Sequence, residues 1–320
     1  MTALSFPGRV VVLSGGVGGA RMARGLARAL GNPARLTVAV NTADDFVHLG
    51  LAISPDLDTV LYTLAGIENP AQGWGRADET WSFMEALEKL GGETWFRLGD
   101  KDLALHLFRT QALAQGRALS AVTAELCRRF DIGVEVLPMT DDRVATVVET
   151  EEGSLAFQDY FVRRRCQPKI KGFRFIGADD AKPLPRLLER FKDPALGAVV
   201  IGPSNPFVSI APILGIPGVR AALEACMAPI VAVSPLVGGA AVKGPAAKMI
   251  AELGQAPSVA WVAEHYADLI DGIVVDEADR EAAGKIRGPR VRIAKTVMRS
   301  DADRATLAAE ILAFAREISA

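Results

Sequence analysis

The residues best placed to do chemistry in this 320-residue chain are three carboxylates and a cluster of glycines. Asp44 and Asp45 are adjacent, at the end of the apolar run Arg35–Val40, and Asp58 follows shortly after in Ser54-Pro55-Asp56-Leu57-Asp58-Thr59. Hard cations such as Mg²⁺ are held by one or two carboxylates together with substrate phosphate oxygens. A carboxylate can also take the proton of an alcohol nucleophile. The glycines Gly15, Gly16, Gly18 and Gly19 stand in Val10-Val11-Val12-Leu13-Ser14-Gly15-Gly16-Val17-Gly18-Gly19-Ala20-Arg21. An apolar run that ends in glycines and passes into an amphipathic segment reads as strand, turn and helix. The helix N-terminus then offers N–H groups and partial positive charge to a phosphate. A dinucleotide fingerprint fails on spacing, because counting from Gly16 its third glycine falls at Arg21. A Walker loop fails because no lysine precedes Lys89.

Each piece also has a plain structural reading. The glycines suit a tight turn in an α/β core, and Asn41-Thr42-Ala43-Asp44-Asp45 suits a solvated loop. Ser54-Pro55-Asp56 is a helix start, with Asp56 and Asp58 as first-turn acids that complement the dipole. For Asp56 that reading is preferred. Asp58 differs because, with Asp44 and Asp45, it would form a carboxylate cluster opposite the glycine turn.

The elements that position these residues follow from periodicity. Val10–Leu13, Arg35–Val40, Ala198–Gly202, Pro229–Ser234, Gly272–Val275 and Val291–Ala294 are short apolar runs of the parallel-strand type. Helices are expected from Met22 to Leu30, after Ser54, over Ser82–Leu90 and Ser120–Phe130, over Pro217–Met227 and Val259–Leu269, and over Ala302–Ile318. Strand carboxyl ends are where open α/β sheets bind ligands. Two further loops fall there: Pro203-Ser204-Asn205-Pro206, with Ser204 and Asn205 as donors, and Gly238-Gly239 followed by Lys243. Lys101, in the first turn of a helix capped by Asp100, stands against the dipole and is either a ligand contact or a surface lysine. Val144–Val148 and Ser154–Phe157 flank a turn and read as a hairpin. The expected architecture is one α/β domain over 1–320 with a Rossmann-like, mostly parallel sheet flanked by helices. Residues 70–170 are expected as a helical-plus-hairpin insert.

Bulk composition narrows the function. A net charge of -2 argues against a general nucleic-acid binder. Cys127, Cys166 and Cys226 have no metal-ligand spacing and fit a reducing cytoplasm. No apolar stretch approaches a membrane span, and the N-terminus lacks a signal-peptide plan.

The ordered set of motifs resembles one family. It comprises Ser14–Arg21, Asn41–Asp45, Ser54–Thr59, Gly73-Trp74-Gly75, Leu98-Gly99-Asp100-Lys101-Asp102, Pro203–Pro206 and Ser234-Pro235…Gly238-Gly239…Val242-Lys243-Gly244-Pro245. Together these resemble the 2-phospholactate transferases of deazaflavin coenzyme (factor 420) biosynthesis. The resemblance implies Mg²⁺-dependent transfer of a phospho-carboxylic acid from a guanosine diphosphate-linked donor to the ribityl hydroxyl of the deazaflavin Fo, with release of GMP, by a homodimer. It implies Asp58 and Lys101 as deazaflavin contacts, and Ser204, Asn205, Gly238 and Gly239 as contacts of the guanosine diphosphate. Asp44, Asp45 and Asp58 remain the candidates for both metal and base. Many archaeal members read Gly-Gly-Thr-Gly-Thr-Pro-Lys where this chain has Gly15–Arg21. The donor's acid (phospholactate, its enol form or phosphoglycerate) therefore stays open. The competing expectation is a nucleotide-sugar-binding regulatory protein of the related gluconeogenesis-factor family. Against it stand the Trp74 loop and the Gly99–Asp102 segment.

Overall fold

The computed structural model describes residues 6–320. Its strands are β1 (Arg9–Ser14), β2 (Leu36–Val40), a small hairpin β3 (Phe46–His48) and β4 (Leu51–Ile53), and β5 (Glu135–Pro138). A meander follows with β6 (Ala145–Thr150), β7 (Gly153–Ala156) and β8 (Ile170–Ile176). Then come β9 (Leu196–Ile201), β10 (Ile230–Val233), the hairpin β11 (Leu236–Val237) and β12 (Ala240–Ala241), β13 (Gly272–Asp276) and β14 (Arg290–Ala294). The central sheet has seven strands in the order β14-β13-β10-β9-β1-β2-β5. Every pairing in it is parallel.

Alternation within the strands sorts the core into two layers. Val10 and Val12 of β1, with Val38 and Val40 of β2, face one side with Met22, Leu57, Leu61 and Leu307. Val11 and Leu13, with Ala39, face the other with Ile213, Val259 and Ile273. Successive side chains of a strand point to opposite faces. A sheet covered on both faces therefore reads as the unbroken apolar runs seen in the sequence.

The helices that bear on the site are α1 (Gly16–Ala29), α2 (Pro55–Ala65), α3 (Ser82–Lys89), α4 (Asp100–Ala114) and α5 (Leu119–Arg129). From β1 the chain runs outward to β2 and β5, then returns to β9 on the other side of β1. The topological switch point thus lies between β1 and β9, with the crevice at their carboxyl ends. The Ser14–Arg21 and Pro203–Pro206 loops meet at that point.

Four expectations need correction. The helix expected from Met22 begins at Gly16, so the glycines form its first turn rather than a loop before it. Residues 70–170 do not all stand outside the core. Residues 135–138 complete the central sheet, because the apolar Val136 and Leu137 fit beside β2. The hairpin is a three-stranded meander, since β8 pairs along β6. The helices in Pro217–Met227 and Val259–Leu269 are shorter, spanning Val219–Glu224 and Val259–His265.

Candidate active site at the switch point

The glycines of the first turn are small because neighbouring chain lies against them. A Cβ on Gly18 would come within 2.2 Å of the Pro203 carbonyl oxygen. One on Gly19 would lie 2.3 Å from Ser14 Oγ and 2.7 Å from Ser204 Oγ. One on Gly15 would meet Ser209 Cβ at 2.5 Å. Only Gly16, at φ +63°, has open space where a Cβ would go. The cluster therefore first lets the loop after β9 close onto α1. Ser204 Oγ accepts from the Gly15 N–H at 3.2 Å and donates to the Gly15 carbonyl at 2.8 Å. Asn205 accepts from the Phe207 N–H and caps the following turn. Two N–H groups expected to await a phosphate are thus committed: Gly15 to Ser204, and Gly16 to Asp56 Oδ1 at 2.8 Å. Among the described residues, the Val17 and Gly18 N–H groups have no such partner.

The acidic cluster is real, but its membership differs from expectation. Asn41, fully buried at the end of β2, donates through Nδ2 to Asp44 Oδ2 at 3.1 Å and to Asp56 Oδ2 at 3.0 Å. One amide therefore holds two carboxylates side by side at the N-terminus of α1. Asp45 accepts from the Ser54 hydroxyl at 2.6 Å. Burial, then the charge of Asp56, pushes the Asp44 carboxyl well above its ordinary range. Burial does the same to Asp45, against the pull of the Ser54 hydrogen bond and the charge of Arg109. Burial raises Asp56 to about 6 despite its hydrogen bonds from Asn41 and Gly16. Asp44 Oδ1 and Asp45 Oδ1 are buried without a partner. Three carboxylates packed with too few donors favour a bound cation.

Asp58 is placed differently. Arg109, from α4, is buried and grips both carboxylate oxygens of Asp58. His106 Nδ1 lies 3.6 Å from Asp58 Oδ2. Tyr62 donates to Asp102, which lies 3.7 Å from His106 Nε2, so the network runs through α2 and α4. Asp58 thus stands paired with Arg109, apart from Asp44 and Asp45, with which the sequence groups it as a metal trio. Among the described residues, no three carboxylate, His or Cys side chains gather as a metal-binding group. The physical reason is Arg109, which already neutralises Asp58. The pair that fits a hard cation is Asp44 and Asp56, with oxygens of a substrate completing the shell.

The remaining candidates are spread around this centre. Lys101 is exposed at the start of α4, the helix that carries Arg109, and its N–H donates to Glu79. Gly238 and Gly239, at φ +60° and +76°, are the two-residue turn joining β11 to β12. Such a turn needs positive φ at both positions. The Gly238 N–H is already taken by Asp279 at 2.9 Å. Asp56, Asn41 and Arg109 were missed as site residues in the sequence. Asn41 stood in a polar segment at a strand's carboxyl end, which was a usable signal.

Comparisons with known proteins show the family. The family model described as 2-phospho-L-lactate transferase CofD matches residues 10–312. A phosphoenolpyruvate transferase of Thermobifida fusca is 48% identical over 309 residues, covering 92% of this chain and 94% of the relative. One of Kitasatospora aureofaciens is 45% identical over 318 residues, covering 97% and 98%. A 2-phospho-L-lactate transferase of Methanopyrus kandleri is 41% identical over 314 residues, covering 97% and 98%. Among solved structures, a UPF0052-family protein of Bacillus halodurans superposes with a TM-score of 0.62 at 18% identity, covering 95% of this chain and 98% of that one. That likeness establishes the fold alone. With the family model matching nearly end to end and transferases of both names sharing four residues in ten or more, the chain belongs to the CofD family of 2-phospho-L-lactate transferases.

Proposed function

We propose that this protein transfers a phospho-carboxylic acid from a guanosine diphosphate-linked donor to the ribityl hydroxyl of the deazaflavin Fo and releases GMP, in deazaflavin coenzyme biosynthesis. The observation that carries the reading is the buried Asp44–Asp56 pair beside the first turn of α1, with an Asp44 oxygen left unpartnered. Family membership supports the transferase class. The donor, the acceptor and the metal are what the resemblance to that family implies, and the buried carboxylates and the free N–H groups are compatible with them.

In the reaction, the acceptor oxygen bonds to the phosphorus that bears the acid. The phosphorus–oxygen bond to GMP breaks, and GMP leaves with the bonding pair. The acceptor's proton passes to a carboxylate. Asp45 suits that role, because its buried Oδ1 has no partner and burial raises the carboxylate's affinity for a proton. Asp44 and Asp56 would hold Mg²⁺, which neutralises charge on the diphosphate when bound. The free N–H groups of Val17 and Gly18 face the diphosphate as fixed donors. Asp58, held rigid by Arg109, keeps lone pairs for a ribityl hydroxyl, and Lys101 borders the acceptor. Positioning and charge neutralisation dominate in phosphoryl transfer, so the proton acceptor is the smaller contributor.

The relatives named phosphoenolpyruvate transferases favour the enolpyruvyl donor for this chain. The test incubates protein, Mg²⁺ and Fo with each of the three guanosine-linked donors, following products by mass spectrometry together with GMP. A phosphorylated deazaflavin with equimolar GMP is expected, fastest with the enolpyruvyl donor. No product from any donor, with nucleotide sugar bound instead, would replace this reading with the regulatory one.

A further inference from the structure

Two cations meet at the mouth of the glycine turn with no direct ion pair to either, Glu68 acting on Arg21 only from a distance. A Cβ built on Gly73 would lie 2.9 Å from Arg21 Nη2, 2.9 Å from Val17 Cγ1 and 3.1 Å from Lys243 Nζ. Residues from α1, from the loop after α2 and from the segment after β12 thus converge on one point beside the first turn of α1. Among the described residues, neither Arg21 nor Lys243 has a carboxylate within ion-pair distance, whereas the neighbouring Arg24 and Arg304 both pair with Glu68 and Asp301. Arg21 Nη1 donates to the Met298 carbonyl, and its Nε is buried without a partner. Lys243 Nζ donates to the Gln72 carbonyl. An ammonium has three donors, so others stay free. Burial and the charge of Arg21 both lower the pKa of Lys243, the mark of two cations held together against repulsion.

From this convergence we infer that Arg21 and Lys243 form a clamp for an oxyanion of the donor, either its terminal phosphate or the carboxylate of its acid. Carbonyl partners hold the two heads in place without neutralising them. An oxyanion between them would relieve their repulsion and fill the donors left open. Gly73 is required at the crossing for two reasons: its φ is +78°, and any side chain would enter the space between the cations. The clamp deepens the donor reading above and rests on it.

The experiment is isothermal titration of the wild type, Lys243→Met and Lys243→Arg with pyrophosphate, phosphoenolpyruvate, GDP and GMP. Lys243→Met should weaken pyrophosphate or phosphoenolpyruvate at least about tenfold, the scale of one charged hydrogen bond, and leave GMP within about twofold. Lys243→Arg should restore most of the loss. A loss shared by pyrophosphate and GDP assigns the clamp to the phosphate, and a loss confined to phosphoenolpyruvate assigns it to the carboxylate. Binding by Lys243→Met within twofold of wild type for all four overturns the clamp. As a second variant, Gly73→Ala should reproduce the loss by pushing the cations apart. The two readings fail separately. Absence of transfer by the wild type defeats the donor–acceptor reading even where oxyanion binding depends on Lys243. Normal binding by Lys243→Met in an enzyme that transfers defeats only the clamp.

Discussion

Asp56 shows how a residue with a complete local explanation can hold a second role. Ser54-Pro55-Asp56 starts a helix, and Pro55 does occupy its first position. Nothing in that segment shows that the carboxylate also accepts from the Gly16 N–H and shares the Asn41 amide with Asp44. Those partners lie on other strands' ends and reach it only through the fold. The consequence is measurable. If Asp44 and Asp56 hold Mg²⁺ as proposed, the metal should raise the wild-type Tm by several degrees, because a ligand of the folded state alone stabilises it. Asp56→Asn keeps the volume but removes one of the two charges. Its Tm without metal should stay within a few degrees of wild type, since relief of a buried charge is offset by loss of one of the two bonds accepted from Gly16 and Asn41. Its Mg²⁺-dependent rise should vanish along with turnover. A preserved Mg²⁺ shift measured by scanning fluorimetry would move the metal off this pair.

At the scale of elements, the sequence was most legible where one period dominates. Val10–Leu13 and Leu36–Val40 alternate between two apolar layers and could be little else than central strands. β5 was less legible, because Glu135 puts a charge at its start. The structure explains that charge: Arg186 and Arg190 of the helix Pro185–Phe191 and the Thr37 hydroxyl all donate to Glu135. Burial alone would raise its pKa, yet those bonds hold it at about 2. A carboxyl depressed from its unfolded value contributes stability above pH ~4.5 that is lost as pH falls from there towards 2. After allowance for partial exposure the contribution is about 2 kcal/mol. Glu135→Gln should therefore unfold more easily at pH 7, and the gap should close between pH 4.5 and 2. A constant gap across urea titrations in that range would contradict the linkage. The glycine turn makes a second case. Gly16→Ala meets only its left-handed backbone, a cost of about 1–2 kcal/mol. Gly18→Ala must push the Pro203 loop from α1, and should cost about 3 kcal/mol and more of the activity. Equal effects of the two on Tm and turnover would show that the loop after β9 yields freely.

For the whole molecule, the decisive contact joins α4 to the core. Arg109 and Asp58 are 51 positions apart, and no local pattern marks an arginine within a helix as the partner of a distant first-turn acid. Their pairing constrains what each can do. Asp58 is paired and held in place, which leaves Asp44 and Asp56 as the proposed metal pair, and α4 is fixed to the core through Arg109. Burying such a pair contributes less than breaking it costs. Asp58→Leu leaves Arg109 as an unpaired buried cation, and Arg109→Met leaves Asp58 uncompensated near Asp45. Each single change should destabilise by about 3–5 kcal/mol. The double variant Asp58→Leu/Arg109→Met removes both charges and should recover most of that stability. The cycle should therefore give a coupling of a few kcal/mol by urea unfolding. Activity should behave oppositely: the double variant folds, keeps its Mg²⁺ shift through Asp44 and Asp56, and still fails to bind Fo. If it regains transfer with its stability, the pair only ties α4 down and Asp58 is no acceptor contact. If stability is not recovered, the pair is held by surroundings that need its charges, and the His106–Asp102–Tyr62 chain becomes the next set of residues to vary.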